Sequence, residues 1–211
     1  MGTEHSSMPI FLLHSSSMYY IVGLGNPGTK YKNTRHNVGF LLLEHFVNEL
    51  HLPSLYNSSR YCGRVSHAVF SEKEITILLP ETFVNDSGNA VQKLVPTKES
   101  EHLVVVYDDI DIPLGEIKVS YGKGDGGHNG IKSIIEKLGT RDFVRVRVGI
   151  ASRSVWTGKL KRPKGKAMAS YVLGTFTSKD EKRLSQVQDT LQEIIELFVT
   201  HGREKVMNMY N

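Results

Sequence analysis

The chain has a single cysteine, Cys62, among 211 residues. That excludes an intrachain disulfide and any cysteine-rich zinc cluster, and it fits a reducing compartment. A lone thiol with no sequence argument for a lowered pKa reads as a small packing residue, so Cys62 receives no role. No apolar run approaches the roughly 20 residues that a membrane-spanning helix requires. At 39% apolar residues the composition is that of a soluble domain of ordinary size, long enough to bury a core. The G-x-S-x-G elbow, the H-E-x-x-H helix and any Cys/His cluster with metal spacing are all missing. Neither a serine nucleophile nor a catalytic metal is therefore expected. Residues 1–17 hold no Lys or Arg, and their apolar core, 9–13, is too short for a secretory signal. They are expected to be a disordered leader or to follow an upstream start, with the domain running over 18–211.

What is present begins with charge. Net charge is only +4, but residues 118–166 hold 13 Lys and Arg against three acids, a formal +10, which leaves −6 for the rest of the chain. A patch of one sign and this size attracts a polyanion, of which nucleic acid is the usual one. Its alternatives are a solvated basic loop without a partner, or a nuclear address in Lys161-Arg162-Pro163-Lys164.

The chain is organised around residues 23–40, a polar loop between a strand-like run, 18–22, and an apolar helical run, 38–50. Gly23, Gly25 and Gly28 satisfy the G-x-G-x-x-G spacing of a dinucleotide site. That reading fails, because Pro27 and residues 29–34 show no helical period where the phosphate-binding helix should open. Glu44, the acid at the ribose position, also lies inside the apolar helix rather than at the end of a second strand. The glycines instead allow a sharp turn that leaves Asn26 and His36 facing a common space.

Further along, 61–70 and 75–79 read as strands joined by a hairpin at 71–74, and 80–88 is a second polar loop opening a short helix that ends at Leu94. Residues 103–106 form a continuous apolar strand ending at Tyr107-Asp108-Asp109. If the three buried strands are parallel, their carboxyl ends share one crevice. A strand over 117–119 precedes the glycine-rich loop 122–130 and a helix over 131–138. In 143–150, valines alternate with Arg145 and Arg147, so one face is apolar and the other cationic. Residues 151–168 read as a basic loop, and Leu184, Val187, Leu191, Ile194, Ile195 and Phe198 keep the period of a final helix.

The groups left for chemistry are Asn26, His36, Asn85, Asp108 and Asn129, all placed on loops at strand ends. A histidine oriented by an aspartate can activate water, and amide side chains can hold a carbonyl or an oxyanion. Taken singly, each has a plainer reading as a cap, a turn former or a structural histidine.

Four stretches in order now carry a resemblance: Gly23 to Phe40 with Thr34-Arg35-His36-Asn37, then Asn85-x-Ser87-Gly88, then Asp108-Asp109-x-Asp111-x-Pro113-x-Gly115, then Gly126-Gly127-His128-Asn129-Gly130. The chain resembles the bacterial-type peptidyl-tRNA hydrolases from Met18 to its tail. The resemblance implies a single α/β domain with a mixed, twisted central β-sheet flanked by helices, acting in the cytoplasm as a monomer without cofactor or metal. It implies hydrolysis of the ester between a peptide and the 3′-terminal ribose of tRNA. His36 would be the general base, Asp108 its partner, and Asn26 a catalytic positioning group. Tyr31, Phe83, Asn85, Asn129 and His128 would line the substrate cleft. Peptidyl-tRNA gives the basic segment a partner, with Lys123, Arg145 and Arg147 expected on the tRNA phosphate backbone.

Departures from the family pattern are Val84 where Met usually precedes the asparagine, Asp125 in the glycine loop, Ser120 at a commonly basic position, and the basic insertion after Arg153. Two other functions stay open on the residues alone. One is a non-catalytic RNA-binding relative of the same fold; the other is an amidase or esterase for a small acyl substrate.

Overall fold

Successive side chains of a strand point to opposite faces. In β1 (Tyr19–Gly23) residues of both sets are buried, so the sheet that contains it must be covered on each side. The computed structural model, which describes residues 18–153, 159–161 and 163–211, shows that arrangement. β1 is followed by α1 (Val38–Glu49), β2 (Tyr56–Ser58), β3 (Gly63–Phe70), β4 (Lys73–Pro80), α2 (Ser87–Leu94) and β5 (Leu103–Pro113). Then come β6 (Ile117–Tyr121), α3 (Asn129–Leu138), β7 (Val144–Ala151), α4 (Lys166–Val172) and α5 (Ser178–Tyr210). The strands form one seven-stranded sheet in the order β2-β3-β4-β1-β5-β7-β6. The β4–β1, β1–β5 and β5–β7 pairs are parallel and the other three antiparallel. The mixed sheet of a single α/β domain is thus present.

Alternation decides which helix each strand residue meets. Ile21, Ile77, Val104, Val106, Val146 and Val148 pack with the apolar faces of α1 and α5. Tyr20, Val22, Leu78, Val105 and Tyr107 pack with Ala90 and Val91 of α2 and Ile131 and Ile134 of α3. Burying a side chain such as Ile21 or Val105 contributes about 1.5–3 kcal/mol each. α5 starts at a capping box in which Thr177 and Asp180 each bond the other's backbone. It breaks at Gly202, whose φ of 77° is left-handed.

Since β4, β1 and β5 run parallel, the chain leaves all three at one edge of the sheet, and there the crevice opens. The beginning of α1 is drawn tightly into it. A Cβ on Gly39 would lie 2.4 Å from the carbonyl oxygen of Val106 and 2.6 Å from the Leu24 nitrogen. Only glycine lets the helix start that close.

Three expectations need correction. β5 continues through Asp108 to Pro113, so Asp108 sits on a strand rather than on a strand-end loop. Residues 56–58 add an edge strand, and 166–168, the end of the stretch 151–168 read as a basic loop, open the helix α4. The hairpin connection is the two residues Ser71 and Glu72, both with positive φ, rather than four. The expected leader, residues 1–17, lies outside the described residues, as does Arg162 of the possible nuclear address.

Candidate active site

The β1–α1 loop is held by its own side chains. Asn37, buried, accepts from the backbone N–H of Asn26 through Oδ1 at 2.9 Å and donates from Nδ2 to the Asn26 carbonyl at 2.9 Å. This paired contact fixes Asn26 across a span of eleven residues. The Asn26 side chain then reaches the β4 loop, where its Oδ1 accepts from Val84 N–H at 3.0 Å. With Oδ1 committed as an acceptor, Asn26 has its Nδ2–H donors left for a cleft ligand. Asn85, the next residue after Val84, is exposed and donates from Nδ2 to Asp86 at 3.1 Å.

His36 and Asp108 meet 72 residues apart in sequence. Nδ1 of His36 lies 2.8 Å from Oδ1 of Asp108, whose side chain is only 5% exposed. An ionised carboxylate there can only accept, so Nδ1 carries the proton and Nε2 is left with the lone pair. Burial works against the His36 imidazolium, but the charge and hydrogen bond of Asp108 outweigh it and raise its pKa above the ordinary 6.5. Burial likewise opposes ionisation of Asp108. The His36 charge and the hydrogen bonds from both histidines nevertheless hold its carboxyl well below the usual carboxylate range.

A second histidine completes the group. His128 stands just before α3; its Nδ1 accepts from Ile131 N–H at 3.3 Å, and its Nε2 lies 3.1 Å from the same Asp108 oxygen. Both ring nitrogens are therefore engaged inside the protein. A polar substrate contact by His128 would have to displace one of these two bonds. The Tyr107 ring packs 4.7 Å from the His128 ring, and burial pushes its hydroxyl up to about 12, so it stays protonated.

His36, Asp108 and His128 each offer a ligand atom, and these atoms lie within 4.8 Å of one another. A cation held there would need His128 to bind through Nε2 and move its proton to Nδ1, against the Ile131 N–H. Metal ligation at this group would therefore compete with the hydrogen bond that His128 Nδ1 accepts from Ile131.

The glycine loop rests on Arg145. Although β7 alternates as expected, Arg145 is 1% exposed, which corrects its expected place on the tRNA backbone. Its guanidinium donates to the carbonyls of Lys123 and Gly124 and lies 4.8 Å from the Phe143 ring centre. Arg147 pairs with Asp109 at 2.8 Å with its side chain 32% exposed, and Lys123 is exposed. Phe83 is 53% exposed, while Tyr31 is partly buried with Lys30 Nζ 4.7 Å over its ring. Asn129 is the exposed first residue of α3. Among the described residues, His36, Asp108 and His128 are joined through the contacts above, while Asn26 is held by Asn37, the residue after His36, and by Val84. Tyr31, Phe83 and Asn85 on the adjoining segments, and Asn129 at the start of α3, make no hydrogen bond to His36 or Asp108.

Arg35, beside the central histidine, ties this loop to the later chain. It stacks 4.7 Å from Tyr171 and 5.7 Å from Phe176 and pairs with Asp180 at 3.5 Å, while its backbone N–H binds the Gly174 carbonyl. Asn37, Arg35 and the inward turn of His128 were not singled out by sequence reasoning. Asn37 and Arg35 flank His36 inside the Thr34-Arg35-His36-Asn37 motif of the resemblance, where neither was given a role of its own.

A family model described as peptidyl-tRNA hydrolase matches residues 20–211. The chain belongs to the peptidyl-tRNA hydrolase family. A peptidyl-tRNA hydrolase of Syntrophotalea carbinolica is 39% identical over 197 residues, 92% of this chain and 97% of that protein. One from Thermodesulfovibrio yellowstonii is 38% identical over 198 residues, covering 92% and 99%. The crystal structure of peptidyl-tRNA hydrolase from Acinetobacter baumannii superposes with a TM-score of 0.78 at 29% identity, over 94% of this chain and 98% of that one. Peptidyl-tRNA hydrolases thus match nearly all of the described chain in sequence and in fold.

Proposed function

We propose that this chain hydrolyses the ester joining a peptide, or an N-blocked amino acid, to the 3′-terminal ribose of tRNA, with water as nucleophile. The observation that carries this reading is the 2.8 Å contact from His36 Nδ1 to a buried, ionised Asp108. It leaves His36 Nε2 as a base whose charged form is stabilised as it forms. His36 takes a proton from water while the oxygen attacks the ester carbonyl carbon. The tetrahedral oxyanion receives hydrogen bonds from Asn26 Nδ2–H, with Asn85 and Asn129 holding the peptide end. Collapse breaks the bond to the ribose 3′-oxygen, which takes the proton back from His36. The products are a free peptide carboxylic acid, which loses its proton to solvent to become the carboxylate, and a tRNA with its 3′-hydroxyl restored.

Tyr31 and Phe83 supply ring surface at the cleft. Lys123 and Arg147 contact tRNA phosphates without reading bases, which suits an enzyme that must accept many tRNAs. Arg145 acts indirectly, by seating the loop that carries Lys123. No helix among the described residues is long and apolar enough to cross a membrane. We place the protein in the cytoplasm as a monomer that returns tRNA to translation and uses neither metal nor cofactor.

The test is to incubate purified protein with N-acetyl-aminoacyl-tRNA and separate released amino acid from tRNA at several salt concentrations. Release with a KM that rises steeply with salt is expected, since each phosphate contact displaces counterions. Binding of tRNA without release would overturn the reading in favour of an RNA-binding protein. Release with a KM indifferent to salt would favour a small-acyl esterase.

A further inference from the structure

We propose that His128 is a positioning residue for the hydrolytic reaction: fixed at Nδ1 by Ile131 N–H, it donates from Nε2 to Asp108 and holds the carboxylate to which His36 is bound. The inference rests on the reading of His36 as the base, and it replaces a substrate contact for His128 with a role inside the catalytic machinery.

Backbone N–H groups in the first turn of α3 have no intrahelical partner, and Ile131 N–H finds one in His128 Nδ1 at 3.3 Å. A nitrogen that accepts a hydrogen bond carries no proton, so the neutral ring has its proton on Nε2. That proton points at Asp108 Oδ1, 3.1 Å away. One carboxylate oxygen therefore receives two N–H donors, from His36 at 2.8 Å and from His128 at 3.1 Å. The chain of bonds runs from Ile131 N–H through His128 and Asp108 to His36, and each member fixes the proton position of the next. Protonating His128 would set an N–H against the Ile131 N–H. With Nδ1 accepting, the neutral ring presents Nε2–H as a donor to the carboxylate.

Packing holds the ring in place. The His128 side chain is 11% exposed, the Tyr107 ring lies 4.7 Å away, and a Cβ on Gly130 would come within 3.1 Å of His128 Cε1. The other charged groups around this face are Arg145 and the Asp109–Arg147 pair. Tyr107 remains neutral there. A neutral donor lowers the electron density on Asp108, so its removal strengthens the pull of the carboxylate on the His36 proton while loosening the geometry of the pair.

Two variants separate the two ends of the ring. In His128→Asn the side-chain oxygen takes the Nδ1 position and can cap α3, but no donor reaches Asp108. In His128→Gln the amide N–H takes the Nε2 position and restores the donor, while the cap is lost. Steady-state kinetics on N-acetyl-aminoacyl-tRNA over a pH series, with thermal melting of each variant, give the comparison.

The Asn variant is expected to melt as the wild type does, to lose about tenfold or more in kcat, to keep its KM, and to show an acid limb displaced to higher pH. The Gln variant is expected to melt at a lower temperature yet recover kcat and the wild-type limb. A rise in KM with kcat and the limb unchanged would overturn the proposal and return His128 to substrate binding. Wild-type kinetics in the Asn variant, or no recovery with Gln, would overturn it as well. Full activity in a His36→Ala control would instead remove the reading beneath it, so the two failures are distinguishable.

Discussion

Replacing Asp108 with Asn keeps size and one acceptor oxygen and removes the charge. In the wild type the His36 Nδ1 to Asp108 Oδ1 distance is 2.8 Å, with side chains 17% and 5% exposed. Two unit charges centred about 4 Å apart at an effective dielectric near 20 attract by about 4 kcal/mol. The positive charge exists only once His36 has taken the water proton, so the loss falls on the transition state. The expected result is a fall in kcat of about 10³-fold with KM little changed. The pH dependence moves too. Asp108 is what raises the His36 pKa above 6.5, and in its absence burial acts alone and lowers it. The acid limb of kcat/KM therefore lies above 6.5 in the wild type and below it in the variant. Stability has the corresponding signs. The depressed Asp108 pKa contributes stability above the ordinary carboxylate range, lost as pH falls through the folded value. The raised His36 pKa contributes stability below 6.5, lost as pH rises through the folded value. Melting should therefore separate the two proteins most in mild acid, where both groups are charged. Timed release of N-acetyl-amino acid from tRNA across pH 5–9, a range of about four units around the histidine value, is the assay. A variant within about threefold of wild-type kcat, or a limb that stays above 6.5, would refute the reasoning.

Asn37→Ala removes both bonds to the Asn26 backbone inside a buried loop. It should destabilise the protein by about 2–4 kcal/mol and lower kcat, read by melting and by turnover. Gly39→Ala forces a methyl group against the Val106 carbonyl and the Leu24 backbone; strain of about 1–3 kcal/mol should appear as a lower melting temperature. Arg145→Met keeps bulk but frees the Lys123 and Gly124 carbonyls, and should raise KM for tRNA substrates more than it lowers kcat.

Long periodic elements were legible in the sequence, and short or indirect features were not. The α1 and α5 faces follow from residues such as Phe46 and Leu191, whose spacing has no good alternative to a buried helix. α4 has no buried residue, so no apolar face marks it in the sequence. β2 is three residues long and mostly exposed, and β5 runs past the apolar residues 103–106 because β7 continues to pair beyond Asp108. In the site, Asn26, His36, Asn85, Asp108 and Asn129 were expected on neighbouring loops, and the structure shows a contact between two of them, His36 and Asp108. Arg145 was placed on the correct side of β7, but alternation does not say what covers that side, and the glycine loop folds back over the guanidinium. His128 was assigned outward for a related reason. Sequence gives its position before a helix, whereas the direction of its ring depends on a carboxylate 20 residues earlier.

The central claim is that His36, and no metal, activates the attacking water. Its most direct test is turnover of N-acetyl-aminoacyl-tRNA by the wild type and by His36→Ala, each with and without EDTA. The account predicts wild-type release that EDTA leaves unchanged and a variant slower by about 10² to 10⁴-fold that still binds tRNA. Substantial release by the variant, or loss of wild-type activity in EDTA that added Mg²⁺ restores, would contradict it.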